Sequence, residues 1–237
     1  MSKRKIAIGA TTLREDAVAV VSLDGELLEE YPLYGLLGGA RYRALVHGVG
    51  ALEEDRFHLN DVQPVFAPGL EHLALLSIRN LSTIAALNLN TWQIEWSQTG
   101  PWLNQHDVNR LPDGRVSVFG NELVRETGVL LGDGHSEFYI FDPANGAVST
   151  PFTEVLSAVD MRTPYEGRAR LLENGDLFIE ETNRDRLLRV SPSAVRWEYV
   201  NGLTDTTSGA LHWSRYIEAA RMAQISIDSR VCAQSSS

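Results

Sequence analysis

The sequence has one cysteine, Cys232, and three methionines among 237 residues. A single thiol excludes an intrachain disulfide and any zinc site built on cysteines. Positive charge is scarce: 21 Lys and Arg stand against 31 Asp and Glu, for a formal net charge of −10. That balance argues against nucleic acid, whose binders neutralise phosphates with Lys and Arg, and against an anionic membrane surface. A local basic site for a small anion remains compatible with it. No apolar run is long enough to span a bilayer. The N-terminal MSKRKIAIGATTLRED starts basic, but its apolar run IAIGA is too short for a secretory leader, and Arg14, Glu15 and Asp16 follow at once. The chain as given is therefore expected to be soluble and cytoplasmic, or periplasmic if an original leader is missing.

Several local signatures of chemistry are also lacking. GLLGGA has no following Lys-Ser/Thr and is not a phosphate-cradling loop. No GxSxG elbow occurs. The six histidines, at 47, 58, 72, 106, 135 and 212, form no HxH or HExxH set. No pair of acids is spaced like those of a glycosidase. Neither a metal nor a cofactor is expected.

What is present is strand. Four segments, 17–31, 83–96, 137–152 and 186–199, share one plan: an apolar strand, a polar turn, and a second strand. Asp24-Gly25 and Asn145-Gly146 are strong hairpin turns. A second kind of unit precedes three of these hairpins: HLALLSIRN, VNRLPDGRVSVFGN and ARLLENGDLFIEET. The alternation repeats at roughly 50–65 residues, the signature of a propeller whose blades are four antiparallel strands. A β-sandwich or barrel is the competing reading, since it too strings short strands together. The expectation is an all-β chain, 1–237, folded as a single β-propeller-like domain with about four blades visible. Segment 33–50, rich in glycine, is expected to be irregular. The best helix is expected over 211–224, and residues 225–237 are expected to fray.

The stretch GPWLNQHDVNRLPDGRVSVFGN, 100–121, sets His106 and Asp107 just ahead of a strand pair. It belongs to an ordered series: FHLNDVQPV, then LLSIRNLSTIAALNLNTWQIEW, then this stretch, then EGRARLLENGDLFIEET running on to VRWEYVN, and finally LHWSRYI. The order and the residues resemble the arylsulfotransferase-like family of β-propellers over about 57–217. That resemblance implies sulfuryl transfer from an aryl sulfate ester to a phenol, without a nucleotide and through a transiently sulfurylated histidine. By motif, His106 (Gln-His-Asp) falls on the nucleophile. His58 (His-Leu-Asn-Asp) falls on a flanking histidine that would protonate the leaving phenolate, and Arg79 (Ser-Ile-Arg-Asn) falls on the anion-stabilising arginine. The chemistry is consistent: neutral imidazole is a nucleophile near pH 7, and a guanidinium fork matches sulfuryl oxygens. Trp102, Asn60 and Arg168 are the expected substrate-binding residues, with Trp102 lining an aryl pocket and Arg168 reaching the channel. His212 is left unassigned.

Each of these residues has a structural reading as well: Trp102, like Trp92, Trp96, Trp197 and Trp213, reads as a core or blade-closing residue, and Arg168 as a strand residue. His106-Asp107 is a common polar strand end, Asn60-Asp61 caps turns, and Arg79, taken as mid-strand, would pair with an acid inside a blade. The sequence also departs from the family, whose catalytic members are longer, with six blades. A chain with about four blades closes around a narrower channel, is partial, or pairs with a second copy as a homo-oligomer. A propeller that kept the framework and binds a small ligand or protein at its funnel face, without catalysis, is the alternative function.

Overall fold

The computed structural model describes residues 4–125, 127–131, 134–204 and 207–224. Cys232 and the segment 225–237 lie outside them. The chain is all-β in character, and its centre is three four-stranded antiparallel sheets, each with its strands in consecutive order. The first holds Leu59–Pro64, Leu73–Ile78, Thr83–Asn88 and Gln93–Thr99. The second holds His106–Arg110, Val116–Gly120, Glu137–Phe141 and Val148–Ser149, with a small hairpin, Leu123–Val124 and Val129–Leu130, inserted after its second strand. The third holds Arg168–Leu171, Leu177–Glu181, Arg186–Ser191 and Ala194–Val200.

The sheets pack face to face because their central strands are apolar on both sides. Leu75, Ile84 and Ala86 of the first meet Val108, Val116, Val118, Tyr139 and Phe141 of the second. On the opposite face of the second sheet, Phe119, Phe138 and Ile140 meet Ala169, Leu177, Ile179, Leu188 and Val190 of the third. Val118 and Phe119 therefore point to different cores, as a period of two requires. Each fully buried Phe or Leu contributes about 1.5–3 kcal/mol.

Upstream of the first sheet, the four-strand plan is replaced. The hairpin Ala17–Val21 and Leu27–Pro32 forms as expected, but segment 33–50, expected to be irregular, contains two short helices, Leu33–Leu37 and Arg43–His47. They bury Leu33, Leu37 and Val46 against the first sheet. The buried Arg56 guanidinium donates to the carbonyls of Leu45, Val46, Val49 and Ala51, satisfying backbone acceptors at and beyond the second helix's end. The segment expected to be helical, 211–224, is corrected: only Ala219–Met222 is helix. The backbone N–H groups of Trp213 and Ser214 donate to the Glu180 carboxylate at 3.2 and 2.5 Å, which ties this segment to the second strand of the third sheet.

A repeated contact ties each unit to the next. Asp16 Oδ2 accepts the N–H of Leu59, Asp61 Oδ2 that of Val108, and Asp107 Oδ2 that of Ala169, each at 2.9 Å. Each carboxylate thus holds the first strand of the following sheet.

Candidate active site

Two backbone positions recur in the sheets. One lies at the start of the first strand, where the chain enters with left-handed residues: His58 at φ 54, Asp107 at φ 55 and Glu166 at φ 59. The other is the residue that follows the second strand: Arg79, Asn121 and Thr182. His58 and Arg79 are bound to each other here, the Arg79 N–H donating to the His58 carbonyl at 3.1 Å. Arg79 is thus not mid-strand, as the sequence suggested, but opens a tight 3-10 turn, Arg79–Leu81. In the second sheet His106 pairs with Phe119 and Val108 with Val118, so Asp107 is the extra residue of a bulge. The bulge lets two successive side chains serve different purposes: Asp107 enters the seam with the third sheet, and His106 faces a cavity.

That cavity, of about 290 Å³, is walled by His58, His106 and His212 together with Asn60, Arg168 and Trp213, and it also includes Thr182 and the acids Asp61, Asp107, Glu166 and Glu180. All three histidines are held through Nδ1. His58 Nδ1 lies 2.6 Å from Asp55 Oδ2, and His212 Nδ1 lies 3.0 Å from Glu166 Oε2. His106 Nδ1 lies 2.5 Å from Asn121 Oδ1. The Asn121 amide cannot be turned around, because its Nδ2 donates to the carbonyls of Thr163 and Glu166 at 2.5 and 2.7 Å. Its oxygen therefore accepts, Nδ1 of His106 carries the proton, and Nε2 is left with a free lone pair. Burial, opposed in part by the Asn121 bond, pushes the His106 pKa down to about 4, and the charges of Arg79 and His58 push in the same direction. His106 is thus a neutral imidazole at neutral pH, with one nitrogen fixed and the other unprotonated.

Arg79 is 9% exposed, and burial lowers its pKa. Its guanidinium donates to Asn80 Oδ1 at 2.9 Å and lies 5.9 Å from the Tyr165 ring centre. Among the described residues it pairs with no carboxylate, so the expected partner acid inside a blade is not found. Its charge reaches His106, but it is not in the cavity wall. The guanidinium in the wall is Arg168, which stands 4.7 Å over the Trp213 ring and approaches Asp107 Oδ1 at 3.5 Å. Arg168 Nη1 and Asn60 Oδ1 are both buried without a hydrogen-bond partner among the described residues, whereas Asn60 Nδ2 donates to the Gln105 carbonyl at 2.9 Å.

For Trp102 the structure corrects the substrate-binding assignment and agrees with the core reading. The residue is 0% exposed and packs edge-on against Tyr139 and Phe141, 5.8 and 6.0 Å between ring centres, in the core between the first two sheets. Proximity in sequence to His106 put it in an aryl pocket; Trp102 lies ahead of the strand His106–Arg110 and packs into that core, while His106 lines the cavity. The aromatic residue in the cavity wall is Trp213. Sequence reasoning also missed Asn121, Asp55 and Glu166 as orienting partners, and the place of His212. Asp55 stands three residues before His58, a local spacing that could have found it, whereas Asn121, Glu166 and His212 come from segments remote from their partners. Among the described residues, no cluster of His, Cys, Asp or Glu could hold a metal ion, and no helix is long and apolar enough to cross a membrane.

These features define an all-β protein with a histidine-lined polar cavity at the ends of its sheets. The chain belongs to the arylsulfotransferase (ASST) family, whose model matches residues 46–202. No curated protein matches it. Among solved structures, it is similar to a protein of unknown function from Bacteroides caccae, at 14% identity and a TM-score of 0.47, over 78% of this chain and 54% of that one. It is also similar to virginiamycin B lyase from Staphylococcus aureus, at 11% identity and a TM-score of 0.44, over 82% of this chain and 50% of that one. The chain thus spans about half the length of these structures.

Proposed function

We propose that this chain catalyses nucleotide-independent sulfuryl transfer from an aryl sulfate ester to a phenol, with His106 Nε2 as the nucleophile. The observation that carries the reading is the fixed Asn121 amide, which holds the proton on Nδ1 and leaves the Nε2 lone pair free. Attack on sulfur forms an N–S bond and breaks the bond from sulfur to the aryl oxygen. As the ring becomes cationic its Nδ1–H grows more acidic, so the bond to Asn121 Oδ1 strengthens in the transition state, where it accelerates reaction. His58 Nε2 supplies the proton taken by the leaving phenolate. In the second half-reaction an acceptor phenol attacks the same sulfur, His58 recovers a proton from it, and the N–S bond breaks. Arg168 Nη1, buried and without a hydrogen-bond partner among the described residues, supports the anion in the cavity, and Arg79 adds positive potential at His106.

The same reading extends to the architecture. We take the three consecutive four-stranded sheets, stacked face to face with one site at their strand ends, as successive blades of a β-propeller. The position of Arg79 favours a second function: an arginine held by Asn80 and Tyr165 away from the cavity wall suits a non-catalytic propeller that binds an anionic ligand.

Incubation with 4-nitrophenyl sulfate and phenol separates the two. Transfer predicts nitrophenol release that is lost in His106→Ala, with label from [35S]-donor found on His106 when no acceptor is added. Release that persists in His106→Ala overturns the nucleophile. Saturable binding of aryl sulfates without any release favours the binding protein.

A further inference from the structure

A second space adjoins the histidine cavity. It is a groove of about 840 Å³ between the second and third sheets, and it shares Asp107, Arg168 and Trp213 with the cavity wall. Although the chain carries a net charge of −10, this groove is lined by four arginines: Arg110, Arg168, Arg170 and Arg215. Its acids are largely committed. Asp107 holds the Ala169 N–H and faces Arg168, and Asp113 is bound by Arg115 at 2.7 Å. Among the described residues, Arg110, Arg170 and Arg215 make no ion pair, leaving Glu173 as the uncommitted acid in the wall. The groove also presents aromatic surface: Phe66, 92% exposed, Tyr216, and the 71% exposed Trp213 at the junction with the cavity.

Trp213 is placed there at a conformational cost. It has a φ of +62, a region that bulky residues rarely enter, and it is held by the bond from its N–H to Glu180 and by the Arg168 guanidinium over its ring. Such strain persists where surrounding contacts impose it, and here they fix an aromatic surface between two polar spaces.

We propose that this groove takes the body of an extended aromatic substrate that carries anionic groups beyond the one being transferred. Its rings lie along Trp213 and Tyr216, its remote charges face Arg110 and Arg170, and Arg215, 5.6 Å over the Trp213 ring, faces charge nearer the junction. A guanidinium suits both parts, pairing with anions and stacking on aromatic faces. The inference deepens the transfer reading and rests on it only for naming the histidine cavity as the reactive end.

The test is equilibrium binding of 8-hydroxypyrene-1,3,6-trisulfonate, a fluorescent phenol whose carbon–sulfur bonds do not transfer. Fluorescence anisotropy is expected to show saturable binding to the full chain, and to His106→Ala equally. The double variant Arg170→Glu/Arg215→Glu is expected to weaken it at least about tenfold, because two attractions near a partly desolvated anion become repulsions. Arg43→Glu, a reversal on the exposed part of an upstream helix, is expected to change it less than about twofold, since a remote exposed charge is screened. If the double variant melts early, Arg170→Gln/Arg215→Gln replaces it, with a loss of about threefold or more expected. No saturable binding to wild type, or equal losses in the groove and Arg43 variants, overturns the proposal. Charge-dependent binding in a protein that turns over no aryl sulfate upholds the groove and sinks the transfer chemistry; turnover with groove-independent binding does the reverse.

Discussion

Asp107 Oδ2 accepts the backbone N–H of Ala169 at 2.9 Å, joining the residue beside the proposed nucleophile to the first strand of the next sheet. Burial raises the Asp107 pKa, opposed by the Arg168 charge, so the carboxylate is kept at an energetic cost and its partners matter. Asp107→Ala strands a buried N–H and leaves Arg168 without its counter-charge. Urea unfolding is expected to show a loss of about 2–4 kcal/mol. A loss under about 0.5 kcal/mol, the size of a surface substitution, would remove Asp107 from the seam.

Asn121 is expected to matter through a proton it does not carry. In Asn121→Leu the side-chain acceptor at His106 Nδ1 is gone, and 15N spectra of the imidazole should change from the Nδ1–H form toward the Nε2–H form. Turnover should fall by about 10²–10³-fold, as on loss of one transition-state partner. A spectrum still showing Nδ1–H in the variant would mean that another group sets the tautomer.

The low His106 pKa gives a signed pH dependence. The acid limb of kcat/KM due to His106 should lie near pH 4 rather than near the ordinary histidine value. The same group affects stability. Between pH 4 and 6.5 the unfolded chain binds a proton that the folded chain refuses, so this contribution is complete above 6.5 and is lost as pH falls toward 4. His106→Gln should therefore lose less melting temperature than wild type between pH 7 and pH 4.5. Equal losses in the two proteins would contradict the buried neutral imidazole.

Glu122 has the opposite sign. Burial pushes its pKa up to about 7 despite a donated bond from the Leu103 N–H at 3.3 Å. The folded chain then binds the extra proton between the ordinary glutamate value and pH 7, and stability drains as pH rises through that window. Glu122→Gln keeps an acceptor for Leu103 and abolishes the titration. Its melting temperature should rise relative to wild type at pH 8 and converge with it near pH 4.5. A constant offset at both pH values would show that Glu122 does not titrate in this range.

The strands were legible because their signals are local: Asp24-Gly25, Asn145-Gly146 and the alternating runs beside them suffice to specify hairpins. The helix expected over 211–224 failed for a non-local reason, since Glu180 takes the N–H groups of Trp213 and Ser214 that a helix would need. Segment 33–50 carries no strand alternation, and its helices form on the strength of Leu33, Leu37 and Val46 buried against another unit. In the site, His58 and His106 were visible through their motifs and line one cavity. Asn121 stood in plain view after Phe119 and Gly120, but its role depends on the carbonyls of Thr163 and Glu166, more than forty residues away. Trp102 and Trp213 exchanged places for a similar reason: closeness to His106 along the chain did not bring Trp102 to the cavity, and Trp213 reaches it from a segment about a hundred residues on.

The residue after the second strand occupies one address three times, as Arg79, Asn121 and Thr182, and supplies a cation, an oriented dipole and a hydroxyl. These groups come from the rims of sheets already paid for by their cores, and no long loop has to fold before they can act. Of the three, Thr182 is in the cavity wall, Asn121 acts there through His106, and Arg79 acts through its charge on His106, so a ligand entering the cavity meets groups held in place beforehand and little ordering entropy opposes binding. Calorimetry on the resting protein should accordingly find a small heat-capacity change for a small aryl sulfate, set by the apolar surface of the ligand and Trp213 and not by folding of the chain around it.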